Sequence, residues 1–327
     1  MAKTISTDIL IIGAGPVGLF GAYCAGFRGL KTVIVDALPQ CGGQIAALYP
    51  EKHIHDIAAI PGAKGRDVVA ALQEQADTYG PEYLLGRQAV GMSHSEEGRP
   101  QVTLADGTIV DTGAVILTAG IGTFTPRTLP AGEAFLGRGL SYFVPDPGEY
   151  VDRNVLVVGG GDSAIDWVLA LEPIARSVTL VHRRSAFRAH AASIREVHES
   201  TAEVVVNAQV EAMFGDALVQ EAHIRVDGEA EARVLKVDAV VAALGFISNL
   251  GPLEEWGVQL DRRSIVVDTR MATNVGRVYG AGDITSYNGK VKLMSVGFGE
   301  VATAVNNAAV ALDPALSLFP GHSTESV

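Results

Sequence analysis

Three glycines near the N-terminus have the spacing of a phosphate-binding turn. Gly13, Gly15 and Gly18 follow a short apolar run, Ile9 to Ile12, and precede an Ala- and Gly-rich segment, Leu19 to Arg28. A run of this length is typical of a buried parallel strand. Free N–H groups at the start of the following helix can bind phosphate oxygens. The spacing therefore predicts a strand–turn–helix unit that binds the pyrophosphate of a dinucleotide.

An acidic residue stands where such a unit would bind a ribose. Asp36 follows the next predicted strand, Thr32 to Val35, and lies 18 residues beyond Gly18. A carboxylate in this place can accept hydrogen bonds from both ribose hydroxyls. A glycine-rich turn in an ordinary βαβ unit is the alternative, but strand, helix, second strand and acid together favour a dinucleotide site.

The same architecture starts again in the second half of the chain. Val155 to Val158 predicts a strand, Gly159 to Gly161 a glycine turn, and Val178 to Val181 a second strand. This internal repeat suggests two dinucleotide-binding modules in one chain. A proline-rich stretch between Pro126 and Pro147 is a composition break, where we expect the chain to cross between domains.

The two modules differ in charge at the end of the second strand. The second module has His182, Arg183 and Arg184 there, with Arg188 one helical turn further. Guanidinium groups can clamp a 2′-phosphate, which a carboxylate would repel. The second module should therefore prefer NADP(H) over NAD(H). A solvated basic patch is the alternative interpretation.

Composition limits the class of protein. The 327 residues have room for roughly two domains of ~150 residues. A net charge of −12 argues against nucleic acid as a partner. We find no run of 18 apolar residues and no apolar leader in the first residues, so we expect a soluble, cytoplasmic chain without a membrane span.

The remaining segments are assigned from hydrophobic periodicity and from the positions of glycine and proline. We expect residues 37–62 to form a loop that folds over a cofactor, and His53 and His55 in it to be surface residues and not metal ligands. A strand ending at Gly280 to Asp283 would place an acid near a sugar-like chain or a phosphate. Helices are predicted at Gly65 to Tyr79 and Lys292 to Val310.

The chain has two cysteines, Cys24 and Cys41, and no C-x-x-C motif. Neither cysteine has metal-ligand spacing to the other. The sequence therefore offers no dithiol relay, and we expect no metal site.

Taken together, these motifs resemble the flavoproteins that bind two dinucleotides. GAGPVG with Asp36, GGGDSA with HRR, and GAGD at Gly280 to Asp283 are similar to thioredoxin reductase in size and order. The chain departs from that pattern because no C-x-x-C precedes Asp162. The runs GGQIAALYPEKHIHDIAAIPG, HRRSAFRAH and KLMSVGFGE and the C-terminal HST resemble instead the thioredoxin-reductase-like ferredoxin–NADP⁺ reductases.

The resemblance implies an α/β fold with two Rossmann-like, three-layer dinucleotide-binding domains. An NADPH domain, residues 121–249, would be inserted into a discontinuous FAD domain, residues 1–120 and 250–327. The C-terminal tail would cover the flavin, and this type of reductase often delivers it across a homodimer.

The resemblance also implies which residues hold the cofactors. Asp36 should bind the adenosine ribose of FAD, Val90 should meet the adenine through backbone groups, and Asp283 should hold the ribityl or pyrophosphate region. Tyr49 and His322 should stack on the two flavin faces and are the candidate catalytic residues. The implied FAD-binding residues are Gly13, Gly15, Pro16, Gly18, Asp36, Gln44, Tyr49, Val90, Phe124, Asp283, Ser323 and Thr324. The implied NADP-binding residues are Gly159, Gly161, Asp162, Ser163, His182, Arg183, Arg184 and Arg188.

In function, the resemblance implies electron transfer from NADPH through FAD to ferredoxin or flavodoxin. An acidic ferredoxin would need a local basic patch on this acidic chain, for which Lys290, Lys292 and Arg66 are candidates. Three alternatives stay open at this point. The protein could be a general NADPH diaphorase, a reductase of an external disulfide protein, acting for instance through Cys41, or a sensor that binds both nucleotides with little turnover.

Overall fold

The computed structural model describes residues 3–120 and 122–322. The chain divides into two compact units, one formed by Met1–Thr123 with Ser248–Val327 and the other by Phe124–Ile247. The second unit is thus an insertion within the first. That the two units bind FAD and NADPH respectively stays a prediction.

The elements before the insertion are, in chain order, β1 (Thr4–Ile12), α1 (Pro16–Phe27), β2 (Thr32–Asp36), α2 (Gly43–Leu48), β3 (His53–Ile54), β4 (Ala63–Lys64), α3 (Gly65–Asp77), β5 (Glu82–Leu85), β6 (Ala89–His94), β7 (Pro100–Leu104), β8 (Ile109–Leu117) and β9 (Thr123–Pro126). Those of the insertion are β10 (Leu140–Ser141), β11 (Asn154–Gly159), α4 (Asp162–Leu171), β12 (Ser177–His182), α5 (Ala191–Glu199), β13 (Glu203–Val206), β14 (Ala208–Phe214), β15 (Glu221–Val226), β16 (Arg233–Lys236) and β17 (Ala239–Ala243). The chain then continues with β18 (Phe246–Asn249), β19 (Leu260–Asp261), β20 (Ser264–Val266), β21 (Val278–Gly280), β22 (Thr285–Ser286) and α6 (Met294–Leu312), and short 3₁₀ turns occupy Pro130–Phe135, Pro147–Tyr150 and Gly251–Glu255.

The main sheet of the first unit has the strand order β5-β2-β1-β8-β7-β6. β1 pairs in parallel with β2 and β8, and β21 pairs in parallel with the C-terminal part of β8. β7 pairs with the N-terminal part of β8 in the antiparallel sense. The C-terminal ends of β1, β2, β8 and β21 therefore lie at one edge, and that is where ligands bind in parallel sheets.

The helices of the first unit pack through small residues. α1 contacts both α3 and α6. A Cβ at Gly21 of α1 would lie 2.6 Å from Cγ2 of Val301 on α6 and 3.4 Å from Cδ1 of Ile11 in β1. Because both neighbours are fully buried, the two helices can approach only where α1 has no side chain.

The second unit repeats the parallel arrangement. Its main sheet has the order β10-β17-β11-β12-β13, and all the pairings are parallel. An antiparallel sheet, β14-β15-β16, follows. The apolar strands Val155–Val158 and Val240–Ala242 are buried, as parallel strands covered on both faces require.

The prediction of an α/β fold with two Rossmann-like units is confirmed. The interpretation of residues 37–62 as a loop without regular structure was wrong, since α2 and the β3–β4 hairpin lie there. Gly42 turns the chain with a φ of 105°, and Ile45 and Leu48 are then buried beside Val68 and Val69 of α3. A helix of six residues shows no readable periodicity, and tertiary packing forms it. In the part of the chain that the structure describes, no helix is both long and apolar enough to cross a bilayer.

The contact at Gly21 generates a stability prediction. Gly21→Ala should lower the free energy of unfolding, because overpacking typically costs about 1–3 kcal/mol and exceeds the helix propensity that alanine adds, about 1 kcal/mol. Urea unfolding followed by circular dichroism measures the change.

Gly299→Ala in α6 is the matched control, because nothing lies within 4 Å of the position that its Cβ would take. This control should be neutral or stabilising by up to about 1 kcal/mol. A Gly21→Ala protein that is as stable as the Gly299→Ala protein would show that α1 and α6 do not need this close approach.

Candidate functional site

The first glycine turn joins β1 to α1 at very short range. Gly13 has a φ of 114°, a backbone conformation that favours glycine. A Cβ at Gly18 would lie 1.8 Å from the carbonyl oxygen of Gly13. The Thr118 hydroxyl, just after β8, donates to the carbonyl oxygens of Ile12 and Gly13 at 3.1 and 2.9 Å. The turn thus holds the start of α1 against the sheet edge.

Gly15 is the glycine of this turn that leaves open space. Its φ and ψ of −72° and −179° suit any residue, and an added Cβ would meet only the Cα of Gly43, at 4.0 Å. No side chain caps the start of α1, and no acidic residue lies in its first turn. The uncapped N–H groups and the space beside Gly15 fit a dinucleotide pyrophosphate.

Asp36 is held at the end of β2 by the backbone. Oδ2 accepts a hydrogen bond from the N–H of Ala14 at 2.6 Å, and Oδ1 accepts one from the N–H of Leu38 at 2.8 Å. Burial raises the pKa of Asp36, and these two bonds oppose that rise. The carboxylate is therefore oriented beside the glycine turn, where its remaining lone pairs can accept ribose hydroxyls.

Val90 lies at an irregularity of β6. The pairing with β7 shifts register between Ala89 and Gly91, so Val90 has no cross-strand partner in the ladder. Its side chain is exposed. A β-bulge leaves backbone groups of the extra residue unpaired, which fits the expected contact of the Val90 backbone with an adenine.

The Tyr49 hydroxyl feels the charge of two acids, one of which, Asp283, is far from it in sequence. Burial raises the pKa of Tyr49, and the negative charges of Asp283 and Asp56 raise it further. The backbone of Tyr49 is tightly packed, because a Cβ at Gly65 would lie 2.8 Å from its carbonyl oxygen. Gln44, in α2, approaches Gly120, where an added Cβ would lie 2.9 Å from the amide Nε2.

Of the predicted flavin-site residues His322, Ser323, Thr324 and Phe124, the structure describes the side chain of His322 alone. The ring of His322 makes an edge contact with the ring of Phe319, with centroids 5.1 Å apart. Ser323 and Thr324 lie outside the described residues, and so does the side chain of Phe124. The roles of these four residues stay predictions.

In the second unit, His182 packs on the glycine turn. A Cβ at Gly160 would lie 2.1–2.4 Å from three atoms of the His182 ring. The ring also stacks on Phe187 at 5.2 Å. Burial is the main cause that lowers the pKa of His182, and the positive charges of Arg183, Arg184 and Arg188 act in the same direction. The imidazole is therefore neutral at pH 7.

The three arginines are gathered around this turn. The N–H of Arg188 donates to the carbonyl oxygen of Gly160 at 2.7 Å. Arg183, Arg184 and Arg188 are exposed, and none of their side chains forms an ion pair with any residue that the structure describes. Three guanidinium groups without an acidic partner suit a doubly charged anion such as a 2′-phosphate, and this role stays a prediction.

The start of α4 differs from the start of α1. Gly161 is the N-cap without a side-chain bond, and Asp162 lies in the first turn. Oδ1 of Asp162 accepts a hydrogen bond from the N–H of His190 at 2.9 Å, which ties α4 to the start of α5. Ser163 is exposed. Their contact with NADP stays a prediction.

Glu300 was missed by the sequence analysis. Its carboxylate is buried in α6 and accepts hydrogen bonds from the N–H of Gly282 at 2.7 Å and from the Tyr287 hydroxyl at 2.6 Å. It also forms an ion pair with Lys290. The signal in the sequence is that Glu300 is the one charged residue between Met294 and Leu312. The suggestion that Lys290 belongs to a basic docking patch was wrong, because its side chain is 7% exposed and paired with Glu300.

The two cysteines are poorly suited to redox exchange. Burial raises the pKa of Cys24 to about 12 and that of Cys41 to about 11, with the charges of Asp36 and Asp77 contributing to the second shift. Since the thiolate is the reactive form, both thiols are unreactive at pH 7. Within the described residues, no group of His, Cys, Asp and Glu has the geometry to hold a metal ion.

The space beside Gly15 generates a prediction. Gly15→Ala should fold normally but copurify with much less FAD, because the new methyl group enters the space that fits the pyrophosphate. Flavin absorbance per protein, with far-UV circular dichroism as the check on folding, measures the effect. Gly18→Ala provides the contrast, since its Cβ meets backbone at 1.8 Å and should disrupt the fold itself. If the Gly15→Ala protein kept its full flavin content, the prediction that the pyrophosphate binds at this turn would be wrong.

Comparison with known proteins agrees with this geometry. The family model described as pyridine nucleotide-disulphide oxidoreductase matches residues 7–308. A relative from Salinispora tropica, named ferredoxin–NADP reductase, is 59% identical over 97% of this chain and 98% of its own. A relative of the same name from Nocardioides is 54% identical over 99% of this chain and 98% of its own.

Solved structures show the same architecture. Thioredoxin reductase from T. acidophilum superposes with a TM-score of 0.79 at 25% identity and covers 94% of this chain and 97% of its own. Thioredoxin reductase from Lactococcus lactis gives a TM-score of 0.78 at 22% identity, covering 94% of this chain and 99% of its own, which supports the fold alone. The chain therefore belongs to the pyridine nucleotide-disulphide oxidoreductase family, with the thioredoxin-reductase fold and with close relatives named ferredoxin–NADP reductase.

Proposed function

We propose that the protein is a ferredoxin–NADP⁺ reductase, a flavoenzyme that passes electrons between NADPH and ferredoxin or flavodoxin through FAD. The single observation that carries this proposal is the contrast between the two glycine turns, one beside a fixed carboxylate and the other beside three unpaired guanidiniums. The names of the relatives give the acceptor.

The first unit is suited to FAD and the second to NADP(H). Asp36 would accept the ribose hydroxyls of FAD, and Gly15 and the start of α1 would face its pyrophosphate. Arg183, Arg184 and Arg188 would clamp the 2′-phosphate that distinguishes NADPH from NADH. His182 would keep the glycine turn and these arginines in a constant relative position, since its ring covers Gly160.

Bound FAD supplies the redox chemistry, because it accepts two electrons from a nicotinamide and gives them up singly. The chain's own residues place and shield it. Tyr49, held by the Gly65 contact and half-buried near Asp283, would cover one face of the flavin. Because Cys24 and Cys41 have no C-x-x-C spacing and both have a raised pKa, the chain offers no dithiol relay, and an external carrier would take the electrons.

Anaerobic stopped flow of the FAD-loaded protein tests this function. NADPH should bleach the flavin absorbance much faster than NADH at equal concentration, and oxidised ferredoxin added next should be reduced rapidly. Arg183→Ala/Arg184→Ala should lower the preference for NADPH over NADH by about 10²-fold, because each lost charge-assisted bond costs about 1.5–3 kcal/mol. The effect should fall on NADPH and leave the reaction with NADH unchanged.

Arg225→Ala, an exposed arginine of the same unit paired with Glu211, is the control and should keep the wild-type preference. Flavin bleaching without ferredoxin or flavodoxin reduction would favour a general diaphorase. No bleaching by either nucleotide would contradict the proposed function and favour a nucleotide-binding sensor.

We further propose that the protein works as a cytoplasmic homodimer. Arg28, at the C-terminal end of α1, donates hydrogen bonds to the carbonyl oxygens of Ser317 and Leu318. Leu318 and Phe319 are more than half exposed. α1 is about 18 Å long, and the four Cα-to-Cα steps from Leu318 to His322 span at most about 14 Å. A tail anchored there would more readily bring His322 to the flavin of a second copy than to its own.

An aromatic row on α1 supports the same surface. The rings of Phe20, Tyr23 and Phe27 follow one another along one face of α1, with centroids 5.8 and 6.4 Å apart, and Tyr79 lies 5.7 Å from Tyr23. Phe20, Tyr23 and Phe27 are half-buried, and Tyr79 is exposed. An isologous interface at this row would cover apolar surface that a single copy leaves open.

Light scattering should therefore give twice the chain mass of 34.2 kDa. Leu318→Glu/Phe319→Glu should shift the protein to monomer, and Phe214→Glu, an equally exposed position of the second unit, should not. His322→Ala should change the absorption spectrum of bound flavin in the dimer and have no effect in the monomeric double variant. A wild-type monomer at micromolar concentration would contradict the dimer.

A further inference from the structure

Glu300 forms a buried charged cluster that the proposed function does not use. The side chains of Glu300 and Lys290 are only 4% and 7% exposed. Burying two charges costs several kcal/mol per ion, which the mutual attraction offsets only when further hydrogen bonds satisfy both groups. Such a pair adds little to stability by itself, so its retention calls for another reason.

The cluster holds the two consecutive peptide units that meet at the Cα of Gly282. Oε2 of Glu300 accepts from the N–H of Gly282 at 2.7 Å. On the other side, the carbonyl oxygen of Gly282 accepts from Nζ of Lys290 at 2.9 Å and from the Thr285 hydroxyl at 2.8 Å. The Tyr287 hydroxyl bonds to the second oxygen of Glu300, and this bond is the largest cause that raises the pKa of Tyr287 to about 12.

Gly282 is the point where the chain must pass between two helix starts. It has a φ of 82°, and its added Cβ would lie 3.3 Å from Cγ2 of Val17 in the first turn of α1. A Cβ at Gly297, in the first turn of α6, would lie 2.6 Å from the same Val17 atom and 3.3 Å from the Cα of Gly282. The next residue is Asp283, so a shift of the Gly282 peptide moves the Asp283 carboxylate directly.

We propose that Glu300 is a positioning residue for FAD. Through its bonds to Gly282 and Lys290, Glu300 holds Asp283 at the starts of α1 and α6. Glu300 does not touch the cofactor in this role. Its carboxylate fixes the N–H of Gly282 and neutralises the lysine that fixes the Gly282 carbonyl, so the peptide units on both sides of Gly282 depend on one acid. The inference rests on the FAD part of the proposed function and needs neither NADPH nor ferredoxin.

The test is the rate at which the holoenzyme releases FAD, followed by the rise in flavin fluorescence after dilution, well below the unfolding temperature of each variant. Glu300→Gln keeps the size of the side chain but turns an amide donor toward Lys290 or Tyr287 and leaves the lysine charge buried without a counterion. It should release FAD at least about tenfold faster, since a bond to a charged group is worth about 1.5–3 kcal/mol. The visible circular dichroism of the bound flavin should also change.

Tyr287→Phe is the milder variant, which folds even where Glu300→Gln does not, because it removes one bond and leaves the ion pair and Gly282 in place. It should release FAD faster, but by less than about tenfold, because Glu300 loses one bond and keeps those to Gly282 and Lys290. Asp111→Asn is the matched control. Its ion pair with Arg99 lies in the same unit but at the N-terminal end of β8, away from the glycine turn, and the release rate should stay at the wild-type value.

The proposal is overturned if Glu300→Gln unfolds at a lower temperature but releases FAD at the wild-type rate, since Glu300 would then act on stability alone. If Glu300→Gln does not fold, an unchanged rate of FAD release in Tyr287→Phe overturns the proposal as well. Loss of ferredoxin reduction with normal FAD release would instead count against the proposed function and leave this inference standing.

Discussion

The absence of a side chain at Gly18 is the constraint on which the first unit depends. A Cβ there would lie 1.8 Å from the carbonyl oxygen of Gly13, so any other residue would push the start of α1 away from β1. That start, with its uncapped N–H groups, is where the proposed function places the pyrophosphate of FAD. The Thr118 hydroxyl closes the turn from β8, so the sheet, the turn and the helix form one rigid edge beside which Asp36 is oriented.

The same geometry in the second unit carries the opposite charge. Asp36 is satisfied by two backbone N–H groups and keeps lone pairs for hydroxyl donors. At the corresponding strand end, three guanidiniums have no acidic partner among the described residues, and after burial, the main cause, their charges also lower the pKa of His182. One backbone arrangement thus suits two dinucleotides, and in the proposed function a few charges at one strand end distinguish them. The overall charge of −12 says nothing about this local difference.

The family takes its name from disulphide chemistry, and this chain lacks the groups for it. Cys24 and Cys41 have no C-x-x-C spacing, and burial raises the pKa of both. The fold supplies the positions of the cofactors, whereas the chemistry of the last electron-transfer step is not determined by the fold. This is the expected behaviour of a fold that hosts several activities.

The sequence by itself determined the two glycine turns, the acid and the arginines at the strand ends, and the α/β fold, because each of these depends on residues close together in the chain. Hydrophobic runs, glycine spacing and a charge at a strand end can all be read within about 30 residues. The sequence did not reveal α2, which is too short for periodicity and forms by packing on α3.

Only the tertiary structure decided that Lys290 is buried and not a surface cation, that Val90 lies at a bulge, and that Tyr49 comes near Asp283. Glu300 reaches Gly282 only because α6 folds back against β21 and α1. A charge is buried or exposed according to what packs over it, and the residues that pack here are separated by tens to hundreds of positions in the chain. Local sequence patterns specify the elements, whereas the partners of a buried charge are set by contacts that no local pattern contains.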